Sequence, residues 1–161
     1  MSAIAQFMKV SPQQFSQDAP GQAYEHIVLP RRATAGSAGY DFVTPIDVIL
    51  APGESIRIPT GIRARMEPGW VLLIFPRSGL GFKYRLQLDN TVGVIDSDYF
   101  NAANEGHIMV KVTNDSHEGK SLALQAGERF CQGIFLPFGL AEETEVEAQR
   151  TGGFGSTGAS L

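Results

Sequence analysis

The chain has 161 residues, 43% of them hydrophobic, which is enough for one compact core. Its net charge of −4 and the absence of a lysine- or arginine-rich run disfavour direct nucleic-acid binding, which needs a basic face. A small anionic substrate stays compatible with this charge, because a few local arginines suffice to bind it.

The single cysteine, Cys131, cannot form an intrachain disulfide, so we expect a reducing compartment. Its neighbour Phe130 indicates a buried, unreactive thiol. The first residues lack the pattern of a signal peptide, and no apolar run approaches the ~20 residues that span a bilayer. We therefore expect a soluble, cytoplasmic protein with no membrane contact.

The first predicted element is a short helix that Ser11 caps. Pro12 suits the first helical position, Gln14 completes a capping box, and Pro20-Gly21 ends the helix. The next predicted elements are strands over 26–30 and 38–43. Asp41 is a carboxylate among the aromatic residues of the second strand, so it needs an arginine, backbone N–H groups or a ligand as partner.

A series of short strands follows in the predicted order. Alternating or continuous apolar runs predict strands at 46–50, 56–58, 62–66, 70–75, 108–112, 122–124, 130–135 and 144–148. The run 70–75 is continuous and predicts a central strand buried on both faces. Ser78 is a candidate cap for a short helix before 84–88. Turns recur about every 8–12 residues, which favours an all-β sandwich or barrel.

Residues 90–99 combine an amide, a glycine, two carboxylates and a tyrosine. In an extended chain, Asp96 and Asp98 would point to the same side and hold a cation or supply a base. The alternative is that Asp98 caps a turn and Asp96 ends a strand in solvent.

The three histidines lack metal-ligand spacing, so a histidine-based metal site is not expected.

The C-terminal segment 151–158 is rich in glycine and contains one aromatic residue, Phe154. It is a linker or an arm that closes on a ligand, with backbone N–H groups and hydroxyls binding phosphate. No Gly-Lys-Ser/Thr follows, so it is not a Walker loop.

Five segments in a fixed order resemble the five motifs of the trimeric dUTPases. They are Ala38-Gly39-Tyr40-Asp41, Pro76-Arg77-Ser78-Gly79-Leu80, Gly93-Val94-Ile95-Asp96-Ser97-Asp98-Tyr99, Gly127-Glu128-Arg129-Phe130-Cys131-Gln132 and Gly152-Gly153-Phe154-Gly155-Ser156-Thr157-Gly158. The resemblance runs from about residue 27 to the C-terminus, and the third and fifth motifs are the most specific.

The resemblance implies Mg²⁺-dependent hydrolysis of dUTP to dUMP and pyrophosphate, which limits uracil incorporation into DNA and supplies dUMP for dTTP synthesis. It also implies an all-β, jelly-roll-like barrel or sandwich with one short helix, and a homotrimer with shared active sites. Residues 1–24 are then an N-terminal addition and 25–148 the β-domain. Residues 149–161 are a flexible arm that closes over the active site of a neighbouring subunit.

Site residues follow from matching positions in the motifs. Asp96 matches the aspartate that activates the attacking water, and Asp41 matches the acid that holds Mg²⁺ through a water. Tyr99 would lie against deoxyribose and exclude a 2′-hydroxyl. The residues that would hold uracil are Asn90, Gly93, Val94 and Ile95. Those that would bind phosphate are Arg77, Ser78, Gly79 and Gln132. The arm would contribute Arg150, Phe154, Gly155, Ser156 and Thr157.

Three features depart from the resemblance. Arg150 lies one residue nearer Phe154 than the usual fifth-motif arginine, residues 100–106 are longer than the usual turn, and 1–24 have no recognised counterpart. The last two leave room for a regulatory protein partner in a nucleotide-gated binding role. A dCTP deaminase of the same fold is another alternative. Asp98 is expected to be structural, and Arg129 contacts phosphate or forms a trimer salt bridge.

Overall fold

The computed structural model describes residues 3–142 and consists mainly of antiparallel strands. The elements are β1 (Ala5–Lys9), α1 (Pro12–Asp18), a 3-10 helix (Tyr24–His26), β2 (Arg31–Arg32), β3 (Tyr40–Val43), β4 (Val48–Leu50), β5 (Ser55–Pro59), β6 (Ile62–Met66), β7 (Trp70–Pro76), α2 (Ser78–Tyr84), β8 (Leu86–Leu88), β9 (Gly93–Ile95), a 3-10 helix (Ser97–Asn101), β10 (Met109–Asn114), β11 (Leu122–Leu124) and β12 (Arg129–Pro137). The predicted strand 144–148, the boundary at 148 and the arm residues Arg150, Phe154, Gly155, Ser156 and Thr157 lie outside the described residues.

Within residues 3–142 the strands form four open sheets rather than a closed barrel. The largest has the order β2-β3-β12-β7-β9, and β5-β10-β8, β1-β6 and β11-β4 form the others. The all-β prediction is confirmed. The fold implied by the resemblance counted one short helix, which is wrong, whereas both helices predicted from the residues, α1 and α2, form.

The alternating pattern located most strands well. Strand β7 covers the predicted run 70–75 and lies between β12 and β9, so it is interior to its sheet. Its side chains alternate between buried and partly buried positions, with Leu72 and Ile74 buried. Full burial on both faces is therefore not reached within the described part of the chain.

The segment 26–30 is not a strand, contrary to the prediction. Tyr24–His26 forms a 3-10 turn, and the N–H of Ile27 donates to the carbonyl of Tyr24. Ile27 is buried against Gly61, where a Cβ would lie 2.4 Å from the Ile27 Cδ1 atom. The apolar side chain is used for packing, and the segment has no ladder partner in residues 3–142.

The N-terminal segment packs into the same core as the β-domain. Strand β1 pairs with β6 in antiparallel register from Ala5↔Met66 to Lys9↔Ile62. Val10, Phe15 and Ala19 are buried among the core side chains. None of the helices in residues 3–142 is long and apolar enough to cross a membrane.

Helix α1 begins as predicted, but its capping box is only half formed. Ser11 Oγ accepts a hydrogen bond from the N–H of Gln14 at 3.0 Å. The reciprocal acceptor for the Ser11 N–H is not Gln14 but the Glu105 carboxylate, at 2.8 Å. The Gln14 amide instead donates to Asp18. A distant carboxylate thus completes the cap.

Candidate active site

Three predicted site residues lie close together near one end of the neighbouring strands β3, β12 and β7 of the five-stranded sheet. Asp41 on β3 lies opposite Gln132 on β12, and Gln132 also lies opposite Phe75 on β7. Directly opposed residues in an antiparallel sheet project to the same face. Arg77 follows the end of β7, so it lies close to the Asp41–Gln132 pair.

Two arginines hold the Asp41 carboxylate. The Nε of Arg77 lies 3.2 Å from Oδ1, and the Nη1 of Arg129 donates to Oδ2 at 3.0 Å. The Asp41 side chain is 14% exposed, whereas those of Arg77 and Arg129 are 36% and 50% exposed. The arginines thus satisfy the carboxylate, yet both remain accessible to an anionic ligand. Arg129 pairs within its own chain.

An open cavity of about 410 Å³ surrounds this group. Its lining residues are Ala33, Ser37, Ala38, Gly39, Asp41, Arg77, Ser78, Gln132 and Ile134. Gly79 lies beside it, exposed in the first turn of α2. Ser78 is the first residue of α2 rather than its cap, since Arg77 occupies the N-cap position. The cavity contains the Arg77 guanidinium, serine hydroxyls and the Gln132 amide, and the Arg129 guanidinium contacts its Asp41 carboxylate. Guanidinium, hydroxyl and amide donors suit oxyanions.

Gly39 leaves space for the Gln132 side chain. A Cβ at this position would lie 2.6 Å from Gln132 Oε1. The Nε2 of Gln132 donates to the Pro76 carbonyl at 3.3 Å, which orients the amide across the strands. A glycine in the first motif therefore sets the position of a residue in the fourth.

The predicted uracil hairpin runs from β8 through a tight turn into β9. The left-handed backbone of this turn falls on Thr91, with φ of 67°. A β-branched residue rarely adopts this conformation, so the turn stores strain. Gly93 matters for packing instead, because a Cβ there would lie 3.0 Å from Ile74 Cβ.

A second cavity, of about 350 Å³, lies beside this hairpin. Its apolar lining comes from Ile74, Leu88, Ile95, Ile108, Met109 and Val110, and its polar lining from Arg57, Asp89, Asn90 and Lys111, with Gly93 completing it. Three predicted uracil-binding residues are therefore together. Val94 is the exception, since its side chain is 56% exposed and does not line the cavity.

Asp96 and Asp98 do not share one face of a strand. Asp96 is extended, with φ −77° and ψ 158°, but Asp98 lies inside the 3-10 helix Ser97–Asn101. Asp96 is half-buried and Asp98 exposed. Of the two alternatives for this pair, the structure does not form the one with both carboxylates on one side, because the extended chain ends at Asp96.

Tyr99 is only 4% exposed within this chain. Its hydroxyl donates to the His107 carbonyl at 2.7 Å and accepts from Asn104 Nδ2 at 2.9 Å. The ring is thus fixed by the loop that follows it. Its contact with a sugar stays a prediction.

Arg77 and Asp96 do not meet within one chain. Ile95 pairs with Leu72, so Asp96 lies level with Val71 near the start of β7. Arg77 lies just beyond the other end of β7. Six residues of strand correspond to roughly 20 Å. The predicted phosphate-binding and water-activating residues are therefore apart within one chain, in two half-sites.

The residues present fit a Mg²⁺ ion that substrate oxygens and waters largely coordinate. No cluster of three or more His, Cys, Asp or Glu side chains occurs within residues 3–142. Asp41 provides one carboxylate, which already contacts two cations. Mg²⁺ keeps several waters and is often held by one or two carboxylates plus phosphates. A contact from Asp41 through a water is compatible with this arrangement.

The sequence did not predict two further sets of contacts. The Asp41–Arg129 pair joins positions 88 residues apart, and only the isolated carboxylate on β3 signalled it. Arg57 and Lys111 line the apolar cavity, and Lys111 Nζ lies 2.8 Å from the Asp89 carboxylate. In the sequence, these charged residues alternate with apolar ones, as surface charges on a strand ordinarily do.

Cys131 is buried as predicted, and desolvation raises the pKa of its thiol.

Comparison with known proteins identifies one family. The dUTPase family model matches residues 25–158. The deoxyuridine 5′-triphosphate nucleotidohydrolase of Lactococcus lactis subsp. lactis is 46% identical over 136 residues, covering 83% of this chain and 89% of the relative. That of Shigella sonnei is 41% identical over 138 residues, covering 81% and 87%.

Solved structures agree with this assignment. The Streptococcus mutans dUTPase aligns with a TM-score of 0.69 and 38% identity, covering 85% of this chain and 98% of that one. A mutant dUTPase from phage phi11 of S. aureus, whose structure details the coordination of a structural Mg(II) ion, aligns with a TM-score of 0.68. At 21% identity, over 91% of this chain and 98% of that one, it supports the fold alone.

Proposed function

The chain belongs to the dUTPase family, enzymes that hydrolyse dUTP to dUMP, and we propose that it releases pyrophosphate through water attack on the α-phosphorus. The observation that carries this proposal is the cavity at the end of β7, where Arg77 and Arg129 converge on Asp41 beside Gln132. The exposed guanidinium of Arg77 in the cavity, together with that of Arg129 on the other side of the Asp41 contact, can bind a triphosphate.

In this proposal the apolar cavity beside β9 binds the nucleoside. Asn90 offers one acceptor and two donors that complement the imide edge of uracil. The backbone of Gly93, Val94 and Ile95 supplies further hydrogen bonds, so the outward side chain of Val94 does not matter. Cytosine reverses the donor pattern at position 4, and thymine adds a methyl group that the hairpin excludes. Tyr99 lies against the sugar and excludes a 2′-hydroxyl.

Asp96 is the general base. Its carboxylate orients a water and accepts its proton while the oxygen attacks the α-phosphorus and the bond to the pyrophosphate oxygen breaks. Its position at the end of β9 supports this role, because the strand delivers it beside the nucleoside cavity. Arg77, Ser78, Gly79 and Gln132 hold the phosphate chain in line with the water.

Mg²⁺ is proposed as the cofactor, and when bound it offsets negative charge on the phosphates. Asp41 would hold it through a coordinated water. Arg77 and Arg129 keep the Asp41 carboxylate in one orientation for that contact.

A homotrimer with shared active sites is proposed for the assembly. The half-sites separated along β7 support it, because one chain alone does not unite Arg77 with Asp96. Apolar side chains exposed on β9, β12 and the residues after β12 give further support; they are Val94, Leu136, Phe138 and Leu140. Such exposure is typical of a surface that another subunit covers. The arm residues Arg150, Phe154, Gly155, Ser156 and Thr157 would close the site, and the enzyme would act in the cytoplasm.

Asp96→Asn tests this mechanism. The amide keeps the shape of the side chain but cannot accept a proton, so turnover of dUTP should fall roughly a hundred- to ten-thousandfold. Binding of dUTP, measured by calorimetry, should stay within a few-fold of the unmodified protein. Full activity in Asp96→Asn would eliminate Asp96 as the base.

A further inference from the structure

We propose that the N-terminal segment 5–19 is a positioning element that fixes Tyr99 by clamping the loop after it, residues 100–107. This inference rests on the proposed role of Tyr99 in rejecting ribonucleotides. It joins the two parts of the chain that depart from the family pattern. They contact each other across 94 residues of sequence.

The loop closes tightly around Tyr99. His107 and Asn104 together hold the tyrosine hydroxyl through a carbonyl and an amide. Gly106, with φ of 70°, passes directly over the tyrosine backbone, where a Cβ would lie 2.6 Å from the Tyr99 carbonyl oxygen. A shift of the loop would therefore move both ends of the tyrosine.

Helix α1 holds this loop at two points. At its start, the Ser11 N–H and Oγ donate to the two carboxylate oxygens of Glu105, at 2.8 and 2.6 Å. At its end, Asp18 Oδ2 lies 2.6 Å from Nδ1 of His107. The two contacts lie one helix length apart, so they restrain both the position and the rotation of the loop.

The hydrogen bonds of His107 define a single tautomer. The Gly61 N–H donates to Nε2 at 2.8 Å, so Nε2 is an acceptor without a proton. Nδ1 must then carry the proton and donate it to Asp18. The imidazole is fully buried and both nitrogens are satisfied. Removing the Asp18 carboxylate would leave a buried donor without a partner and would loosen the residue whose carbonyl holds Tyr99.

Strand β6 contacts the loop at a further point. Arg63 Nη2 donates to the Phe100 carbonyl at 2.6 Å, and its guanidinium lies 3.6 Å from the centroid of the Phe100 ring. Because β6 also pairs with β1, the N-terminal segment reaches the loop directly through α1 and indirectly through β6. The contacts that segment 5–19 and β6 make with residues 100–107 thus form a frame that fixes Tyr99.

Rigidity is what the proposed role of Tyr99 requires. The Tyr99 ring excludes a 2′-hydroxyl only if it cannot move away from the sugar. Binding of the deoxy substrate does not require the ring to be fixed, because no hydroxyl competes for its space. Loosening the frame should therefore admit UTP while leaving dUTP turnover nearly unchanged. Ser11 and Asp18 are positioning residues in this account, because neither is placed at the substrate.

The test compares kcat/KM for dUTP and UTP in Asp18→Ala, Asp18→Asn and the control Glu54→Ala. Glu54 also accepts a hydrogen bond through its carboxylate, from the Ala51 N–H, but in an exposed turn that lines neither cavity. Asp18→Ala should lower the dUTP/UTP ratio roughly five- to tenfold, with kcat for dUTP within about twofold. Asp18→Asn keeps an acceptor oxygen and should restore most of the ratio. Glu54→Ala should leave the ratio unchanged.

Hydrogen–deuterium exchange supplies a readout that is independent of activity. Amides of residues 97–107 should exchange faster in Asp18→Ala than in the unmodified protein, while Glu54→Ala leaves them protected. Ser11→Ala tests the same clamp if Asp18→Ala does not fold. Unchanged exchange, or an unchanged dUTP/UTP ratio in a folded variant, would overturn the positioning role. Failure of the unmodified protein to release pyrophosphate from dUTP would instead overturn the proposed function.

Discussion

Arg77 and Asp96 lie beside opposite ends of β7, so the strand holds them roughly 20 Å apart within one chain. A triphosphate bound at Arg77 would not present its α-phosphorus to a water held by Asp96 of the same chain. The proposed active site therefore needs at least two subunits.

Mixing two inactive variants tests the shared site. Arg77→Ala and Asp96→Asn should each lose most activity alone. Subunits that are unfolded together in equal amounts and then refolded should regain roughly a quarter of the unmodified activity, because one site in four receives both intact residues by chance. The measurement is pyrophosphate release against the total protein concentration. No recovery, with trimers verified by sedimentation, would place both residues of a site in one chain.

The Gly39→Ala variant tests the contact between the first and fourth motifs. The added Cβ lies 2.6 Å from Gln132 Oε1, so the amide must turn away from its orientation across the strands. KM for dUTP should rise roughly three- to tenfold with kcat within about twofold, since a phosphate contact is lost.

Gly36→Ala is the matched control for Gly39→Ala. Gly36 lies in the same loop, and a Cβ there has no atom within 4 Å. Steady-state kinetics should match those of the unmodified protein. Equal changes in KM for both variants would argue that general loop stiffness, and not Gln132, is responsible.

The sequence predicted the strands better than the connections. Apolar alternation located β6, and a continuous apolar run located β7. The same reasoning failed for 26–30, where Ile27 packs against Gly61 without joining a sheet. A local apolar run does not specify whether its backbone finds a ladder partner.

In the candidate site, too, local features were easier to predict than long-range contacts. The motifs identified Asp41 and Arg77, but the partners of Asp41 and Ser11 lie far along the chain. The predicted local bond from the Gln14 N–H to Ser11 Oγ forms, but the Ser11 N–H donates to Glu105 and not to the Gln14 side chain. Contacts of this range depend on how the sheets pack, which no short window of sequence contains.

Removing divalent cations tests the proposed cofactor. Chelation should lower dUTP hydrolysis, and added Mg²⁺ should restore it. Asp41→Asn should raise the Mg²⁺ concentration needed for half-maximal activity, because the carboxylate that attracts the hydrated ion loses its charge. Asp47→Asn changes an exposed carboxylate that accepts the Ala126 N–H and should leave this concentration unchanged. A Mg²⁺ requirement unaltered in Asp41→Asn would remove Asp41 from the metal site.

Acid should weaken the attachment of helix α1. Burial lowers the pKa of His107, although Asp18 and Glu105 oppose this shift; Arg57 lowers it further. The unfolded chain therefore binds more protons near the ordinary histidine pKa of ~6.5, and the free energy of unfolding falls as the pH drops below it. Hydrogen bonds from Ser11 lower the pKa of Glu105, so a further loss begins at more acidic pH.

Thermal unfolding between pH 8 and pH 5 measures this effect. The Tm should decline below about pH 6.5 in the unmodified protein. His107→Gln should start from a lower Tm but show a flatter dependence over this range. His26→Gln, which changes an exposed histidine, should retain the original slope. A slope that persists in His107→Gln would assign the pH dependence to another group.

The most direct test of the proposed function is pyrophosphate release from a panel of dUTP, UTP, dCTP and dTTP, with and without Mg²⁺. We predict rapid release from dUTP with Mg²⁺ and little from the other three nucleotides. In ¹⁸O-labelled water the label should enter dUMP and not pyrophosphate, because the water attacks the α-phosphorus. Comparable turnover of all four nucleotides, or label found in pyrophosphate, would contradict this account.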